Sequence, residues 1–309
     1  MTTPLAPPAG RHGGDGARLA RLLGIEPGDV LDLSASLNPV APDVAPTVAS
    51  HLDVLGRYPD PHEATAALAA ALGVAADRVL LTNGGSEAIA LVASETGAGW
   101  VEEPDFGLYR RHLREVRPDA PRWRSNPHNP SGLLADPGAV TGDRSVWDEA
   151  FYPLATGRWT SGAADEGAIV LGSLTKVFAC PGLRLGFVLA TPALIGRLAS
   201  RQPEWAVNAL ALAALPDLLA SADLPAWASA IAALRTELVD VLADFGLKAS
   251  PSDVNYVLVP SAAGLRPKLA SEAILVRDCT SFGLPDHIRI AVPSTTGLAR
   301  LRRALEAVT

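Results

Sequence analysis

The sequence predicts an α/β protein with a mostly parallel sheet, followed by a smaller α+β module. Short apolar runs alternate with helical patterns over the first two thirds of the chain, and three strands with two helices follow a long helical segment. The 309 residues, 48% of them hydrophobic, suffice for two domains of roughly 150 residues each. We predict that residues 1–30 form an N-terminal arm and part of the smaller domain, 31–222 the large domain and 223–309 the small domain.

The elements follow in order from the spacing of apolar residues and from the residues that begin and end helices. The run Asp60-Pro61-His62-Glu63 offers a cap, a first-turn proline and an acid, and Gly73 ends the helix that they begin. Strands are predicted at Val79–Thr82, Gly99–Val101, Ser145–Asp148, Ala168–Ser173 and Leu185–Leu189. Helices are predicted at Glu63–Leu72, Ser86–Thr96, Phe106–Val116, Ala193–Arg201, Trp205–Leu219 and Leu224–Phe245. The C-terminal module is predicted to hold strands at Tyr256–Val259, Ile274–Val276 and Ile288–Val292 and helices at about 265–272 and 295–307.

Composition and charge argue against several classes of protein. The 33 acidic residues outnumber the 26 basic ones and no long basic run occurs, so we expect no nucleic-acid partner. The most apolar stretch, 205–220, is interrupted by Asn208 and Pro216, and the first residues do not resemble a secretory signal, so we expect no membrane association. Two cysteines cannot build a disulfide framework, which favours the cytoplasm. The histidines and cysteines lack ligand spacing, so no metal is expected.

One lysine stands apart from the other basic residues. Only three of the 26 are lysines, and Lys248 and Lys268 occupy ordinary solvated positions. Lys176 follows a short apolar strand that ends in small hydroxyl residues, with no acidic residue nearby in sequence. Partial burial in such a place lowers the pKa of a lysine and makes its amine available as a nucleophile.

Two short segments before this lysine combine turn-forming residues with polar groups. Thr82-Asn83-Gly84-Gly85-Ser86-Glu87 leads from a strand through glycines into a helix, where free N–H groups favour phosphate. Taken alone, this segment would be interpreted as a simple turn. In Asn126-Pro127-His128-Asn129-Pro130-Ser131-Gly132, two Asn-Pro steps present amide side chains from a rigid loop, and this segment alone would also be a turn.

Two further segments carry charged groups. Asp148 ends a buried strand, at the edge where open α/β sheets bind ligands. Ser173-Leu174-Thr175-Lys176 is followed eight residues later by Arg184. The Ser-x-x-Lys pattern also occurs in penicillin-binding proteins, but the Ser-Asp-Asn and Lys-Thr-Gly segments of that family are missing from the sequence. No Walker loop or G-x-G-x-x-G is present to support a nucleotide site.

In this order, the four segments resemble the class I aminotransferase family, the fold type I enzymes that use pyridoxal phosphate. The resemblance covers most of the chain and implies a three-layer α/β/α large domain with a mostly parallel sheet, plus a small α+β domain. It also implies that Lys176 forms a Schiff base with the cofactor aldehyde and that Asp148 holds the pyridine nitrogen protonated. Asn129 would donate to the ring hydroxyl and Phe106 would stack on the ring. The implied donors to the cofactor phosphate are Gly85, Ser86, Ser173 and Arg184.

The chain departs from that family at two places. Phe151 stands where the family often has a tyrosine, which removes a hydroxyl donor to the ring oxygen and is expected to alter the pKa of the imine. Only 15 residues separate Gly132 from Asp148, whereas relatives usually have a longer strand and helix there, so we expect a trimmed sheet or entrance.

Other segments are similar to the threonine-phosphate decarboxylase group of cobalamin synthesis, a sister group of the histidinol-phosphate aminotransferases. These segments are His12–Asp15, Leu31–Pro39, Arg57–Asp60, Val276–Gly283 and Ile288–Ile290. The resemblance implies that Arg289 clamps the substrate carboxylate, that Arg277 and His12 lie near the substrate phosphate, and that Asn38 lies on the substrate side. Tyr58 would reach the cofactor phosphate of a neighbouring subunit, which implies a homodimer. From the residues alone, other roles stay open for these four residues. His12 could be a mobile terminal residue and Arg277 a surface partner of Asp278, while Tyr58 and Asn38 could serve only in packing.

The resulting prediction is a pyridoxal-phosphate-dependent carboxy-lyase or aminotransferase acting on a small anionic amino acid, most simply a phosphorylated one. Decarboxylation and transamination use the same residues, and the orientation of the substrate's Cα bonds selects between them. We favour a threonine-phosphate decarboxylase-like reaction in cobalamin biosynthesis, with an aminotransferase of the histidinol-phosphate type as the alternative. A cofactor-binding protein without turnover is the second alternative.

Overall fold

The computed structural model describes residues 10, 12–136, 145–161, 167 and 169–308. The described strands are β1 (Leu31–Leu33), β2 (Val79–Asn83), β3 (Ala98–Val101), β4 (Glu115–Val116), β5 (Arg122–Ser125), β6 (Val146–Asp148), β7 (Ile169–Ser173), β8 (Leu185–Leu189), β9 (Tyr256–Val259), β10 (Ile274–Asp278) and β11 (Ile288–Ala291). The described α-helices are α1 (Gly16–Leu23), α2 (Ala45–Ala49), α3 (His62–Leu72), α4 (Gly84–Thr96), α5 (Leu108–His112), α6 (Tyr152–Thr156), α7 (Leu174–Val177), α8 (Pro192–Ala199), α9 (Ala209–Ala220), α10 (Leu224–Asp244), α11 (Leu265–Ser271) and α12 (Thr295–Val308).

The chain forms two compact units. The small unit comprises the described parts of residues 1–40, 129–133 and 229–309, and the large unit those of 41–128 and 134–228. The sequence-based boundaries differ from this division chiefly at residues 31–40, which belong to the small unit because β1 pairs in parallel with β10. Residues 1–9 and 11 of the predicted arm lie outside the described residues, as do 137–144 of the shortened segment and Ala168 of a predicted strand.

The large unit is built around a mostly parallel sheet, as predicted. Its order is β2-β8-β7-β6-β5-β3-β4, with β8 antiparallel to both neighbours and the other pairs parallel. Apolar residues of α4 and α8 pack on the sheet; the buried set includes Ile89, Val92, Val101, Trp123, Val146, Leu171, Val188 and Leu198. Because β5, β6 and β7 run parallel, their carboxyl ends lie at one edge of the sheet.

The small unit is an α+β module, also as predicted. Its sheet has the order β1-β10-β11-β9, in which β11 is antiparallel to both neighbours. The core of this unit is formed by alternate strand residues with the inward sides of the last helices, including Leu238, Leu242, Val257, Ile274, Val276, Ile290, Leu301 and Leu305.

Two predicted helices are wrong in extent, and tertiary pairing explains both. The predicted helix Phe106–Val116 is helical only at Leu108–His112, because the chain then extends and pairs in parallel with β3 through Arg114 N–H to the Gly97 carbonyl oxygen. The predicted helix from Trp205 begins instead at Ala209, because Trp205 has a left-handed backbone, with φ of 54°. Asn208 caps this helix by accepting from the N–H of Ala211.

Within the described residues, no single helix has both the length and the hydropathy needed to cross a membrane. The bent pair α9 and α10 passes the same test only when its two helices are joined, by length and composition alone.

Candidate active site

Asp148 lies at the carboxyl end of β6, where its carboxylate receives two hydrogen bonds. The Tyr109 hydroxyl donates to Oδ2 over 2.8 Å, and the backbone N–H of Ala150 donates to Oδ1 over 3.0 Å. Burial raises the pKa of Asp148 above its ordinary value, and these two bonds and the positive charge of Lys176 oppose that shift. The site therefore holds a carboxylate that gains from a further cationic donor.

Lys176 lies on α7, the short helix that begins directly after β7. Its side chain is half-buried, and its charge interacts with Asp148 across the ends of the neighbouring strands β6 and β7. The Lys176 ammonium nitrogen lies 5.9 Å from the centre of the Phe151 ring, on which it makes a cation–π contact. The two predicted catalytic groups, Lys176 and Asp148, are thus brought together.

Aromatic side chains of the large unit form a wall beside Asp148. Phe106 meets Tyr109 edge to face, with 5.8 Å between ring centres, and Tyr109 is fully buried against Trp123. Burial and the charges of Asp148 and Asp105 raise the pKa of Tyr109 well above its usual range, so it stays a hydroxyl donor. The sequence analysis missed Tyr109, although its place three residues after Phe106 at the start of a helix was a usable signal.

An anion-binding cradle lies at the start of α4. Gly84 has φ of +73°, and a Cβ there would collide with the guanidinium of Arg184. Gly186 brings the backbone of Gly84 and Gly85 equally close, since a Cβ at Gly186 would strike that backbone. The first N–H groups of α4 therefore meet an arginine at the amino end of the helix, an arrangement that favours a phosphate.

The remaining predicted phosphate ligands surround this cradle. Ser173 ends β7, and its Cβ lies 3.7 Å from where a Gly85 side chain would begin. Ser86 is exposed on the first turn of α4. Gly85, Ser86, Ser173 and Arg184 are thus all contributed by the same end of the large unit's sheet.

In the small unit, two buried arginines stand opposite each other on neighbouring strands. Arg277 of β10 pairs in register with Arg289 of β11, and they are 5% and 6% exposed. Arg277 donates to the Gly10 carbonyl oxygen and to the Ser281 hydroxyl, each over 2.7 Å. Burial, followed by the charge of Arg289, lowers the pKa of Arg277 to about 10.

Arg289 is held by aromatic rings and by one amide. Its guanidinium carbon lies 4.4 Å from the centre of the Tyr256 ring, and burial lowers its pKa. It donates through Nη1 to the side-chain oxygen of Asn129 over 2.5 Å, while its Nε has no hydrogen-bond partner among the described residues. Like charges that face each other across two strands repel. An anion bound between Arg277 and Arg289 would offset this repulsion, so the pair is suited to bind one.

Asn129 belongs to the small unit although the chain before and after its segment belongs to the large one. Asp253 N–H donates to the carbonyl oxygen of Gly132, and Gly132 has φ of +84° with Ser252 where a side chain would begin. Because the Asn129 oxygen accepts from Arg289, its amide nitrogen is the end suited to donate to a ligand.

Three further predicted site residues, Asn38, His12 and Tyr58, have different surroundings. Asn38 is buried and accepts from the N–H of Val40, so it shapes its own turn. His12 is exposed and lines a small cavity with Arg277. Tyr58 is 77% exposed and stacks on Trp205 of the same large unit, with ring centres 4.6 Å apart.

Among the described residues, no group of three or more His, Cys, Asp and Glu side chains could hold a metal ion. The large unit instead offers a lysine amine, a strand-end carboxylate, an aromatic wall and an anion cradle at one sheet edge. Each feature meets one requirement of pyridoxal phosphate: an aldehyde partner, a pyridine-nitrogen partner, a stacking face and phosphate donors. The fold and the site together define a fold type I pyridoxal-phosphate enzyme.

Comparison with known proteins agrees with this class. The model of aminotransferase class I and II matches residues 123–308, and the chain belongs to this family. It is 32% identical to threonine-phosphate decarboxylase of Salmonella typhimurium, with 96% of each chain covered. It is 27% identical to histidinol-phosphate aminotransferase 1 of Dechloromonas aromatica, over 93% of this chain and 92% of the relative.

Solved structures agree on the fold. The histidinol-phosphate aminotransferase of Sinorhizobium meliloti in complex with pyridoxal-5'-phosphate has a TM-score of 0.83 at 21% identity, covering 100% of this chain and 97% of that one. The L-threonine-O-3-phosphate decarboxylase of Porphyromonas gingivalis has a TM-score of 0.75 at 22% identity, covering 90% and 99%. The predicted fold class, family, enzymatic nature and cofactor are therefore confirmed, and the alternative of a binding protein without turnover is set aside.

Proposed function

We propose that this enzyme acts on a small phosphorylated amino acid, by a threonine-phosphate decarboxylase-like reaction in cobalamin biosynthesis. The observation that carries the proposal is the facing pair of buried arginines, Arg277 and Arg289. Two separate guanidinium groups, each with a lowered pKa, suit a substrate that carries two anionic groups, a carboxylate and a phosphate. The name of the Salmonella typhimurium relative supports the same reaction.

Each site residue has a proposed role. We propose that Lys176 bonds to the cofactor aldehyde and that Asp148 accepts from the pyridine N–H, with Phe106 stacked on the ring and Asn129 donating to its hydroxyl. The cofactor phosphate is bound by Gly85, Ser86, Ser173 and Arg184. The half-buried Asp148 carboxylate beside Lys176 and the cradle at Gly84 support this placement.

In catalysis, the residues of this chain position the substrate and move its protons. Bound at this site, the cofactor supplies an electron-withdrawing ring that stabilises negative charge at the substrate's Cα. Arg289 holds the substrate carboxylate, and Arg277, with His12 beside it, binds the substrate phosphate; Asn38 shapes the substrate side. By holding the substrate carboxylate, Arg289 would set the direction of the bond between Cα and the carboxylate, and this orientation would select decarboxylation over loss of the Cα proton. The Lys176 amine delivers or removes the proton at Cα.

The competing reaction is transamination of the histidinol-phosphate type, which the Dechloromonas aromatica relative's name supports. Purified enzyme with threonine phosphate separates the two. Release of carbon dioxide without a keto acid supports the decarboxylase. Conversion of the cofactor to its amine form, reversed by 2-oxoglutarate, supports the transferase. No reaction with threonine phosphate or histidinol phosphate, with cofactor bound, overturns the proposed substrate class.

The substrate phosphate provides a second test. Replacing Arg277→Gln is expected to lower kcat/KM for threonine phosphate by about 10- to 100-fold, since a charge-assisted hydrogen bond contributes about 1.5–3 kcal/mol. The activity on unphosphorylated threonine should change much less, because that substrate has no group to lose. Steady-state kinetics on both substrates measure the difference, and Arg302→Gln, which breaks a surface ion pair with Asp244, is the matched control. An equal loss on both substrates would contradict a phosphate role for Arg277.

We also propose that the enzyme is a homodimer in which Tyr58 reaches the neighbouring subunit's cofactor phosphate, and that it works in the cytoplasm. The exposure of Tyr58, stacked on the 57%-exposed Trp205, supports the dimer, together with exposed Leu52 and Leu55 nearby in sequence. Both cysteines, Cys180 and Cys279, are buried as free thiols, which supports a reducing compartment. A monomeric mass in light scattering would overturn the dimer, and fractionation of cells would test the compartment.

A further inference from the structure

A second carboxyl group, Asp105, is buried near Asp148 in the large unit. It is 2% exposed and lies in the turn between β3 and α5. Its Oδ1 accepts from the Ser125 hydroxyl over 2.5 Å and from the Phe106 N–H over 2.7 Å, and its Oδ2 accepts from the Ser125 N–H over 3.1 Å. Asp105 therefore holds in place both the backbone of Phe106 and Ser125, the last residue of β5.

Ser125 connects Asp105 to Asp148, the residue proposed to bind the cofactor's ring nitrogen. Ser125 and Asp148 are partners in register on the neighbouring strands β5 and β6. The Tyr109 hydroxyl donates to Asp148 and also shares a hydrogen bond with Ser125. Asp105, Ser125 and Tyr109 are buried and lead to the half-buried Asp148, so the four form one chain of polar groups in which a change at one end reaches the other through hydrogen bonds and charge.

Burial, hydrogen bonds and nearby charges together set the pKa of Asp105 near neutrality. Burial raises the pKa of Asp105 to about 7, with the charge of Asp148 adding to the rise, while bonds from Ser125 and Phe106 oppose it. The other titratable groups that face it are Tyr109, the Glu103 carboxylate, which accepts from the Asp105 N–H, and the half-buried Arg124. If residue 105 only had to anchor the turn between β3 and α5, a neutral amide or hydroxyl side chain could do so without the free-energy cost of burying a charge.

We propose that Asp105 is a positioning residue for the cofactor ring: it fixes Phe106 and the Ser125–Tyr109–Asp148 chain, and its negative charge strengthens the hold on the protonated ring nitrogen. The inference rests on the proposed placement of that nitrogen at Asp148. A protonated ring nitrogen bound at Asp148 favours the ionised form of Asp105. By linkage, Asp105 therefore increases cofactor affinity only at pH values at which it can lose its proton.

The test compares cofactor affinity of the wild type and Asp105→Asn at two pH values. The dissociation constant of pyridoxal phosphate, measured by titrating the cofactor-free protein, is expected to be about 10-fold larger for the variant near pH 8.5 and less than about 2-fold larger near pH 5.5. With 1-deazapyridoxal phosphate, whose ring has carbon in place of nitrogen, the ratio should not depend on pH. Glu95→Gln, which removes a carboxylate that pairs with Arg197 and Arg201 in the same unit, is the matched control and should show no pH-dependent ratio.

A second readout needs no cofactor. Because the pKa of Asp105 is raised in the folded protein, its contribution to stability is present below the unfolded value and is lost as pH rises through about 7. The free energy of unfolding of the wild type, minus that of Asp105→Asn, should therefore fall over the interval from about pH 4 to about pH 7. If the variant does not fold, the infrared C=O band of a protonated carboxyl in the wild type, lost near pH 7, replaces this measurement.

Three outcomes decide the matter. If Asp105→Asn weakens cofactor binding by the same factor at both pH values, the charge role is overturned and Asp105 is only an anchor. Weakened binding in Asp148→Asn with unchanged binding in Asp105→Asn at both pH values refutes the inference alone. Unchanged binding in both variants refutes the placement of the ring nitrogen at Asp148 as well. Ser125→Ala keeps the Asp105 carboxyl but removes a hydrogen bond that lowers its pKa, so this variant should weaken binding and move the pH dependence to higher pH.

Discussion

Replacing Lys176→Ala is expected to abolish the covalent link between the protein and its cofactor and to lower kcat by at least about 10³-fold. General acid–base catalysis alone contributes roughly 10²- to 10⁴-fold, and this variant loses the nucleophile as well. Treatment with borohydride followed by peptide mapping measures the link directly, since the reduced adduct stays on the lysine that formed it.

The chain provides its own controls for this experiment. Lys248 and Lys268 are its two other lysines, so Lys248→Ala and Lys268→Ala should keep both the adduct at Lys176 and the activity. Lys176→Arg keeps a positive charge beside Asp148 but has no amine that can form the link, so it should lose the adduct while retaining more cofactor affinity than Lys176→Ala. An adduct on Lys248 or Lys268 would contradict the placement of the cofactor.

The sequence located Lys176 and Asp148 because their positions depend on local pattern. Each ends or follows a short apolar strand, and parallel strands bring such ends to one edge of the sheet. The glycine cradle was equally local, since glycines before a helix leave a backbone that can approach an anion. These parts of the fold and site could be predicted without knowing which strand lies beside which.

Other parts depend on pairing between distant segments. Asp105 and Tyr109 matter because β5 and β6 bring Ser125 beside Asp148, and β5 was not predicted. The facing of Arg277 and Arg289 depends on the register of β10 and β11, which apolar spacing does not fix.

The unit to which a segment belongs, and the length of one helix, also depend on pairing between distant segments. Asn129 lies with the small unit through hydrogen bonds made far along the chain, and residues 31–40 join that unit by parallel pairing of β1. The helix predicted at 106–116 stops early because pairing with β3 outweighs helix propensity there.

Replacing Asp148→Asn is expected to have the second largest effect, a fall in kcat of about 10²- to 10³-fold, the size seen when one preorganised electrostatic partner is removed from an active site. The amide is nearly the same size: its single oxygen can still accept from the Ala150 N–H, while its NH2 group faces the Tyr109 hydroxyl and can donate to it, so the packing around β6 should persist. What the variant lacks is the negative charge that, in the proposed role of Asp148, keeps the ring nitrogen protonated. Absorbance and kinetics of the variant, with circular dichroism to verify folding, give the measurement.

The carbon-ring analogue makes the cause of that loss specific. If Asp148 acts through the ring nitrogen, the wild type with 1-deazapyridoxal phosphate is already without the interaction, and Asp148→Asn should then lower its remaining binding little further. If Asp148 instead only supports the local fold, the two losses should multiply, because they would arise from independent causes. Burial raises the pKa of Asp148, and the positive charge of Lys176 opposes the rise. A further cationic donor, such as a protonated ring nitrogen, would therefore stabilise the ionised carboxylate. If the loss of binding from the analogue and the loss from Asp148→Asn multiply, Asp148 does not contact the ring, and its carboxylate interacts with Tyr109 and Lys176 only.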